Sequence, residues 1–213
     1  MMKLLYKEVR LAAHPTSIVF AFLGCLVLAP SYPYSVIFMF GCLAPYITFL
    51  NARETNDVWY TAVLPVTKRE SVLGKCLLVV SLQLFQLLFS IPFALLRNTL
   101  NITNNPVGLD ATIAWYGLGF FLYAVFDLAF LTAFYKNGYK VGKSFILAAV
   151  PVVLLMAAIE AASHIPALVW MDSCQPKHLL MQLPVLTAGI FCYSIFIPLA
   201  YRISIKRFEK VDL

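Results

Sequence analysis

The chain has 213 residues, of which 62% are hydrophobic and only 12% are charged. A soluble domain usually carries about 25% charged residues, so this composition excludes an ordinary soluble protein and indicates a membrane protein. The net charge of +6 does not indicate nucleic-acid binding, because the basic residues are set between long apolar runs. We expect a single transmembrane domain over residues 1–213.

Residues 1–15 predict an amphipathic interfacial helix. Lys3, Lys7, Arg10 and His14 recur at spacings of four, three and four residues, which places them on one side of a helix. A helix with a basic side lies in the headgroup layer of a membrane, where it contacts lipid. The same residues would also serve as a positively charged flank of the first span, but their periodicity favours the helix.

Six apolar runs are candidates for membrane-spanning helices, so the predicted fold class is an all-α membrane protein. A span needs about 20 apolar residues, with a range of about 17 to 25. The first two runs are short, and Pro30 and Pro33 separate them because proline lacks the N–H and fixes φ. The predicted spans cover residues 16–29, 34–50, 72–96, 112–134, 144–163 and 179–201.

The polar segment 51–71 predicts a short helix outside the membrane. Asn56 and Asp57 are typical N-cap residues, and Pro65 ends the helix because the residue before a proline avoids the α conformation. Thr67 and Glu70 have the capping-box spacing, so a second helix begins there and continues into the third span.

This short helix, residues 56–64, carries apolar side chains on its surface: Trp59, Tyr60, Val63 and Leu64. Such a surface either docks a partner protein or lies at the headgroups as part of an aromatic belt. The residues alone leave both interpretations open.

Few polar side chains lie within the predicted spans, and Asp127 is the most unusual of them. A charge at that depth costs at least about 2.5 kcal/mol on insertion scales, so Asp127 should face the bundle interior or a wet cavity. We interpret it as a structural hydrogen-bonding group in preference to a contact for cationic cargo or a conformational latch. Gln83 and Gln86 are its candidate partners, and Gln182 completes the set of polar residues in the bundle interior.

The segment 160–178 contains residue types that bind metals, but their spacing indicates no metal site. A zinc site needs three or four converging ligands, whereas Glu160 and His164 are one pair at helical spacing. We expect an ion pair or hydrogen bond between these two residues at the end of a helix.

The chain shows neither a catalytic constellation nor a phosphate loop. The segment that ends at Ser144 has Asn137 where the motif G-x-x-x-x-G-K-[ST] requires glycine. We therefore expect no enzyme activity and no cofactor bound by this chain.

The distribution of basic residues predicts the orientation in the membrane. Of the 16 Lys and Arg residues, all except Arg97 and Lys177 lie on one side of the six-span arrangement. Cytoplasmic loops carry the excess of Lys and Arg, so both termini and the segment 51–71 are expected in the cytoplasm. The predicted location is a cell membrane, specifically a bacterial plasma membrane, which the chain crosses several times.

The run Leu64-Pro65-Val66-Thr67-Lys68 resembles the Leu-Pro-Val-Ser/Thr-Arg/Lys run of ABC-2 type permeases, the membrane subunits of ABC transporters. Glu54, Asn56 and Asp57 just upstream also fit that pattern, and Lys7-Glu8-Val9-Arg10 is similar to the start of the family. The six-span plan matches over essentially the whole chain. The resemblance therefore implies a type V exporter-like permease fold.

The resemblance also implies a role for each segment outside the spans. Residues 56–64 would be the coupling helix that seats in a groove of a separate ATPase, and residues 1–15 would be the connecting helix. The implied interface residues are Asn56, Asp57, Trp59, Tyr60, Val63, Leu64 and Pro65. Residues 160–178 would hold an outer re-entrant segment. Two copies of the ATPase, with their ATP and Mg, and a second permease subunit, identical or related, are implied as partners.

We therefore expect the permease subunit of an ATP-binding cassette exporter that moves a hydrophobic or amphipathic substrate, peptide or drug-like, out of the cell. The aromatic and aliphatic bundle suits such cargo better than a sugar or a small ion. The alternative is a stand-alone secondary transporter or channel, which would need an intramembrane ion site built on Asp127.

Overall fold

The computed structural model describes residues 2–11, 14–63, 66–100, 105, 107–136 and 140–210 of the chain. These residues contain helices and no β-strand, which confirms the predicted all-α class. The α-helices are α1 (Met2–Leu11), α2 (Pro15–Phe22), α3 (Ser35–Glu54), α4 (Asp57–Val63), α5 (Lys68–Thr99), α6 (Ile113–Lys136), α7 (Val141–Ser163) and α8 (Pro176–Phe208). Two 3-10 helices, Leu23–Leu28 and Pro166–Asp172, follow α2 and α7.

Among the described helices, five are long and apolar enough to cross a membrane: α3, α5, α6, α7 and α8. The first predicted span is a shorter apolar helix, Pro15–Leu28. It begins where the Nδ1 atom of His14 accepts the backbone N–H of Thr16 at 3.2 Å. Pro15 occupies the first helical position, where its missing N–H costs no hydrogen bond. The predicted break around residues 30–33 is confirmed, because α3 begins only at Ser35.

The helices α6 and α8 contact each other through their backbones. A Cβ atom added to Gly117 of α6 would lie 2.6 Å from the carbonyl oxygen of Val185 and 2.7 Å from the Cα of Leu186. Gly189 of α8 lies in turn against the backbone of Gly117. Small residues at a helix interface allow this close approach within a membrane.

The core of the bundle is aromatic and is centred on α6. Phe38 of α3 lies against Trp115 with ring centroids 4.3 Å apart, and Phe49 lies against Phe130 at 5.1 Å. By contrast, α7 exposes a row of apolar side chains to its surroundings: Ile146, Leu147, Val150, Val153 and Leu154. In a bilayer this row faces lipid or another subunit, because lipid tails are as apolar as these side chains.

The segment before α5 has the predicted local structure. The N–H of Thr67 donates to Oε2 of Glu70 at 2.9 Å, and the N–H of Glu70 donates to Oγ1 of Thr67 at 3.2 Å. This reciprocal pair confirms the capping box. The short helix is also present, since α4 begins at Asp57 directly after Asn56, whose φ of 54° turns the chain.

Candidate functional site

The helix α4 exposes apolar side chains and buries polar ones. Tyr60 is 56% exposed and Val63 is 76% exposed, whereas Asp57 and Thr61 are buried. The family resemblance implies that Asp57 lies at the ATPase-coupling interface, but its carboxylate contacts Lys75 and Lys7 of the bundle. An ordinary surface helix has the opposite arrangement, with its apolar side buried.

The other residues predicted for this surface are only partly placed. Asn56 is exposed, and its carbonyl oxygen accepts the N–H of Tyr60 at 3.0 Å. Trp59 lies within α4, but its side chain is outside the described part of the chain, and so are Leu64 and Pro65.

Beneath α4 lies a group of four charged residues, Lys7, Glu8, Asp57 and Lys75, which we name the charge cluster; Lys7 is partly buried and the other three are buried. The Nζ atom of Lys75 on α5 lies 2.5 Å from Oδ2 of Asp57 and 2.6 Å from Oε2 of Glu8. Lys7 on α1 lies 3.0 Å from Oε1 of Glu8 and 3.3 Å from Oδ1 of Asp57. Its Nζ also donates to Oγ1 of Thr61 at 2.6 Å. The cluster thus joins α1, α4 and α5 at one end of the bundle, the α4 end.

Two ammonium groups determine the charge state of Asp57. Burial by itself raises the pKa of Asp57, but the positive charges and hydrogen bonds of Lys75, and then of Lys7, outweigh it and hold the pKa below its usual value. Asp57 is therefore ionised at neutral pH, and the cluster balances two positive charges with two negative charges.

The charge cluster is a feature that sequence reasoning missed. The sequence predicts Lys7 as part of the basic side of an interfacial helix, Lys75 as a charge that sets the orientation, and Glu8 as part of the family resemblance. One feature of the sequence could have indicated the cluster: Lys75 follows Gly74 inside an otherwise apolar helical run. A lysine at such a position needs an anionic partner. The sequence does not show that the partners come from residues 8 and 57.

Asp127 makes the type of contact that its membrane position requires. Its Oδ1 accepts a hydrogen bond from Nε2 of Gln83 at 2.8 Å, and Oε1 of Gln83 accepts one from the hydroxyl of Tyr193 at 3.1 Å. All three side chains are buried. The predicted hydrogen bond to a glutamine is therefore present, and it connects α5, α6 and α8. The second oxygen of Asp127, Oδ2, has no hydrogen-bond partner among the described atoms.

Gln86 does not contact Asp127 but joins three other helices. Its Nε2 donates to the carbonyl oxygens of Phe20 at 3.0 Å and Ile37 at 3.1 Å, and its Oε1 accepts the hydroxyl of Tyr123. Because both ends of the amide are used, Gln86 fixes α5 against α2, α3 and α6 within the bundle.

Gln182 holds the second 3-10 helix on the bundle. Its Nε2 donates to the carbonyl oxygens of Trp170 at 2.8 Å and Ser173 at 2.9 Å. Its Oε1 accepts the N–H of Ala114 at 3.3 Å. All four polar residues, Gln83, Gln86, Asp127 and Gln182, are buried in the interior. Gln83 and Asp127 contact each other, whereas Gln86 and Gln182 each belong to a separate group.

A second buried ion pair closes the far end of the bundle, opposite the α4 end. The guanidinium of Arg97 lies 2.6 Å from Oδ1 of Asp110 and also donates to the carbonyl oxygen of Val27 at 3.3 Å. The N–H of Asp110 in turn donates to Oδ1 of Asp172 at 2.6 Å. These contacts join α5, the α5–α6 loop and both 3-10 helices.

Glu160 and His164 do not form the predicted pair. Oε2 of Glu160 accepts the N–H of Leu109 at 3.2 Å. His164 lies beyond the last helical residue of α7, Ser163, as its C-cap. The two side chains, both of which the structure describes, are therefore joined by neither a hydrogen bond nor an ion pair, although they are four residues apart.

An apolar cavity of about 510 Å³ lies between α5, α6 and α8. Its walls include Leu84, Leu88, Ile91, Tyr116 and Leu186, and Cys174 also lines it. Ligand pockets in proteins have volumes of about 300–1,000 Å³, and most of their lining is apolar. Leu88 and Ile91 are exposed, so the cavity opens at the side of the bundle, where a hydrophobic molecule or a lipid tail fits.

Comparison with known proteins decides the family. The model of a family described as ABC-2 family transporter protein matches residues 3–209. The chain belongs to the ABC-2 transporter family. This ABC-2 permease is therefore a multi-pass membrane component of an ABC-type transporter, and the family works with an ABC ATPase partner. Permeases of the family are typically non-catalytic. No curated protein and no solved structure matches this chain.

Proposed function

We propose that this ABC-2 permease is the transmembrane subunit of an exporter that moves a hydrophobic or amphipathic molecule, peptide or drug-like, out of the cell. Two copies of a separate ATPase, which carry the ATP and Mg, drive it, and a second permease, identical or related, completes the pathway. The helix α4 is the coupling helix that binds the ATPase.

The proposal rests on the orientation of α4. The charge cluster holds the polar side of α4 towards the bundle, so that Tyr60 and Val63 project away from it. Apolar side chains on a helix outside the membrane spans suit a groove on a partner protein, and aromatic anchors usually dominate such interfaces.

The cavity between α5, α6 and α8 supports the substrate class. Its walls offer aliphatic and aromatic groups, with the hydroxyls of Thr112 and Tyr116 among its few polar atoms. Such a site favours apolar cargo over a sugar or an ion, since a polar ligand would lose hydrogen bonds to water without replacement.

The proposed orientation places the α4 end and both termini in the cytoplasm, with the short helix Pro15–Leu28 as the first of six spans. Cys174, which is exposed, then faces the outside. It should react with an impermeant thiol reagent added to intact cells, whereas a tag at the carboxyl terminus should be reached only after permeabilisation. Labelling of that tag from outside would contradict this orientation.

A pull-down of the ATPase tests the coupling role of α4. The double substitution Trp59→Ala and Leu64→Ala should leave the permease in the membrane, because neither residue lies in a span. Loss of a buried interface aromatic typically costs about 2 kcal/mol or more, so ATPase affinity should fall roughly thirtyfold. A matched control, Ile146→Ala with Leu154→Ala on the exposed row of α7, should recover the ATPase as the wild type does.

The result separates the coupling helix from an aromatic belt at the headgroups. In the belt interpretation the doubly substituted permease loses membrane contact at residues 51–71 but retains its ATPase. Equal recovery of the ATPase at equal membrane abundance would therefore refute the proposed role of α4.

A further inference from the structure

The way in which α4 is attached to the bundle differs from that of an ordinary short helix. Of its four side chains that the structure describes, the two buried ones, Asp57 and Thr61, are polar. Asp57 belongs to the charge cluster, and Thr61 accepts a hydrogen bond from Lys7 of the cluster. Tyr60 and Val63 are exposed. Ionic contacts therefore account for the attachment of the described part of α4.

A helix of seven residues depends on such contacts for its position. Isolated helices shorter than about 12–15 residues are marginally stable in water, because few hydrogen bonds offset the cost of nucleation. The orientation of α4 is consequently set by the groups that hold it, and these groups belong to α1 and α5.

The cluster is built to hold three helices in one arrangement. Gly74 leaves room for Glu8, since a Cβ atom there would lie 3.2 Å from Cγ of Glu8. The ring of Phe49 lies beside the ammonium group of Lys75, which is 5.9 Å from the ring centroid. Movement of α4 or of α5 away from the other two helices would separate buried Asp57 or buried Lys75 from all its partners in the cluster, which is strongly unfavourable. Movement of α1 would break the contacts of Glu8 with Lys75 and of Lys7 with Asp57.

We propose that the charge cluster locks α1, α4 and the beginning of α5 into one rigid body, with Lys75 as the positioning residue. The consequence of this rigid body for transport rests on the proposed function. A displacement that the ATPase imposes on α4 is transmitted through Lys75 to α5 and through Lys7 and Glu8 to α1, instead of being absorbed by the segments that flank α4.

Distance measurements between spin labels test the rigid body directly. Labels are attached at Tyr6→Cys and Val63→Cys, two exposed positions on α1 and α4, in the full-length permease in lipid nanodiscs with Cys174→Ser as background. The distance distribution should be narrow. Lys75→Met, which keeps the length of the side chain but removes its charge, should broaden the distribution.

Two further variants separate the charge balance from a general loss of structure. Adding Glu8→Gln to Lys75→Met removes the surplus negative charge and should narrow the distribution again, since neighbouring charges couple in a double-mutant cycle. Arg69→Ala is the matched control. This substitution breaks the exposed ion pair between Arg69 and Glu209, whose Nε and Oε1 atoms are 2.9 Å apart and whose side chains are 69% and 43% exposed. It should leave the width of the distance distribution unchanged.

A wild-type width in Lys75→Met would overturn the proposal, because α4 would then be held by other contacts. If Lys75→Met does not reach wild-type abundance, Glu8→Gln alone replaces it, and an unchanged width there would overturn the proposal equally. ATPase recovery with unlabelled protein is measured separately and should fall in Lys75→Met, because the docking surface is no longer pre-organised. A wild-type permease that recovers no ATPase would refute the proposed function, while the distances would still decide whether the rigid body exists.

Discussion

The contact between α6 and α8 gives a prediction whose magnitude follows from the structure. In Gly117→Ala the new methyl group would lie 2.6 Å from the carbonyl oxygen of Val185, whereas ordinary contacts lie at 3.4–4 Å. The obstructing atoms belong to the backbone of α8, so no side-chain rotation relieves the clash and the two helices must separate.

The expected loss of stability combines two opposing effects. Overpacking a tight site costs about 1–3 kcal/mol, and a clash with backbone belongs at the upper end of that range. Replacing glycine by alanine within a helix returns about 1 kcal/mol. The net destabilisation is therefore about 2 kcal/mol, which lowers the melting temperature of a chain of this size by about 4–8 °C.

Thermal unfolding in detergent can be followed with a thiol-reactive dye. Cys42 and Cys76 are buried and become reactive when the bundle unfolds, and Cys174→Ser removes the exposed thiol in all samples. The matched control is Gly142→Ala on α7, where a Cβ atom meets nothing within 4 Å, and it should melt at or slightly above the wild-type temperature. Equal melting temperatures for Gly117→Ala and Gly142→Ala would refute the backbone contact.

Three further predictions concern charged residues. Arg97→Met removes the guanidinium that pairs with the buried carboxylate of Asp110 and should destabilise the protein by about 3–5 kcal/mol. The control Arg69→Ala breaks an exposed ion pair and should cost less than about 1 kcal/mol. Equal melting temperatures for the two variants would contradict the buried pair. The folded-state pKa of Asp57 is depressed, so its contribution to stability is present above the unfolded value of about 3.9 and is lost as the pH falls through the folded value. Melting curves should show this loss only in acid, and Asp57→Asn should remove it. In Asp127→Asn the side chain can still accept the hydrogen bond from Gln83, so ATP-driven transport should survive at least in part. The secondary-transporter alternative predicts the opposite result. In that case an ion gradient drives transport without ATP, and Asp127→Asn abolishes it.

Local signals in the sequence predicted the helical elements well. The break around Pro30 and Pro33, the short helix α4 and the capping box of Thr67 and Glu70 each depend on residues a few positions apart. Their physical causes act along the chain: proline restricts φ, and a side chain at an N-cap reaches a backbone N–H three residues ahead. The same local logic misses the partner of Glu160, which is the N–H of Leu109, a residue remote in sequence.

The sequence by itself determined that this protein is an all-helical membrane protein and that Asp127 needs a partner, because a charged group deep in a bilayer is costly unless it is paired or faces the bundle interior. The tertiary structure alone decided which partners meet. Asp127 contacts Gln83 and not Gln86, since only one of these two glutamines faces it from α5. The charge cluster joins Glu8, Asp57 and Lys75, which are remote in sequence. Periodicity assigns each residue to a face of its own helix, but the packing of the bundle determines which faces meet, and that packing depends on all the helices together.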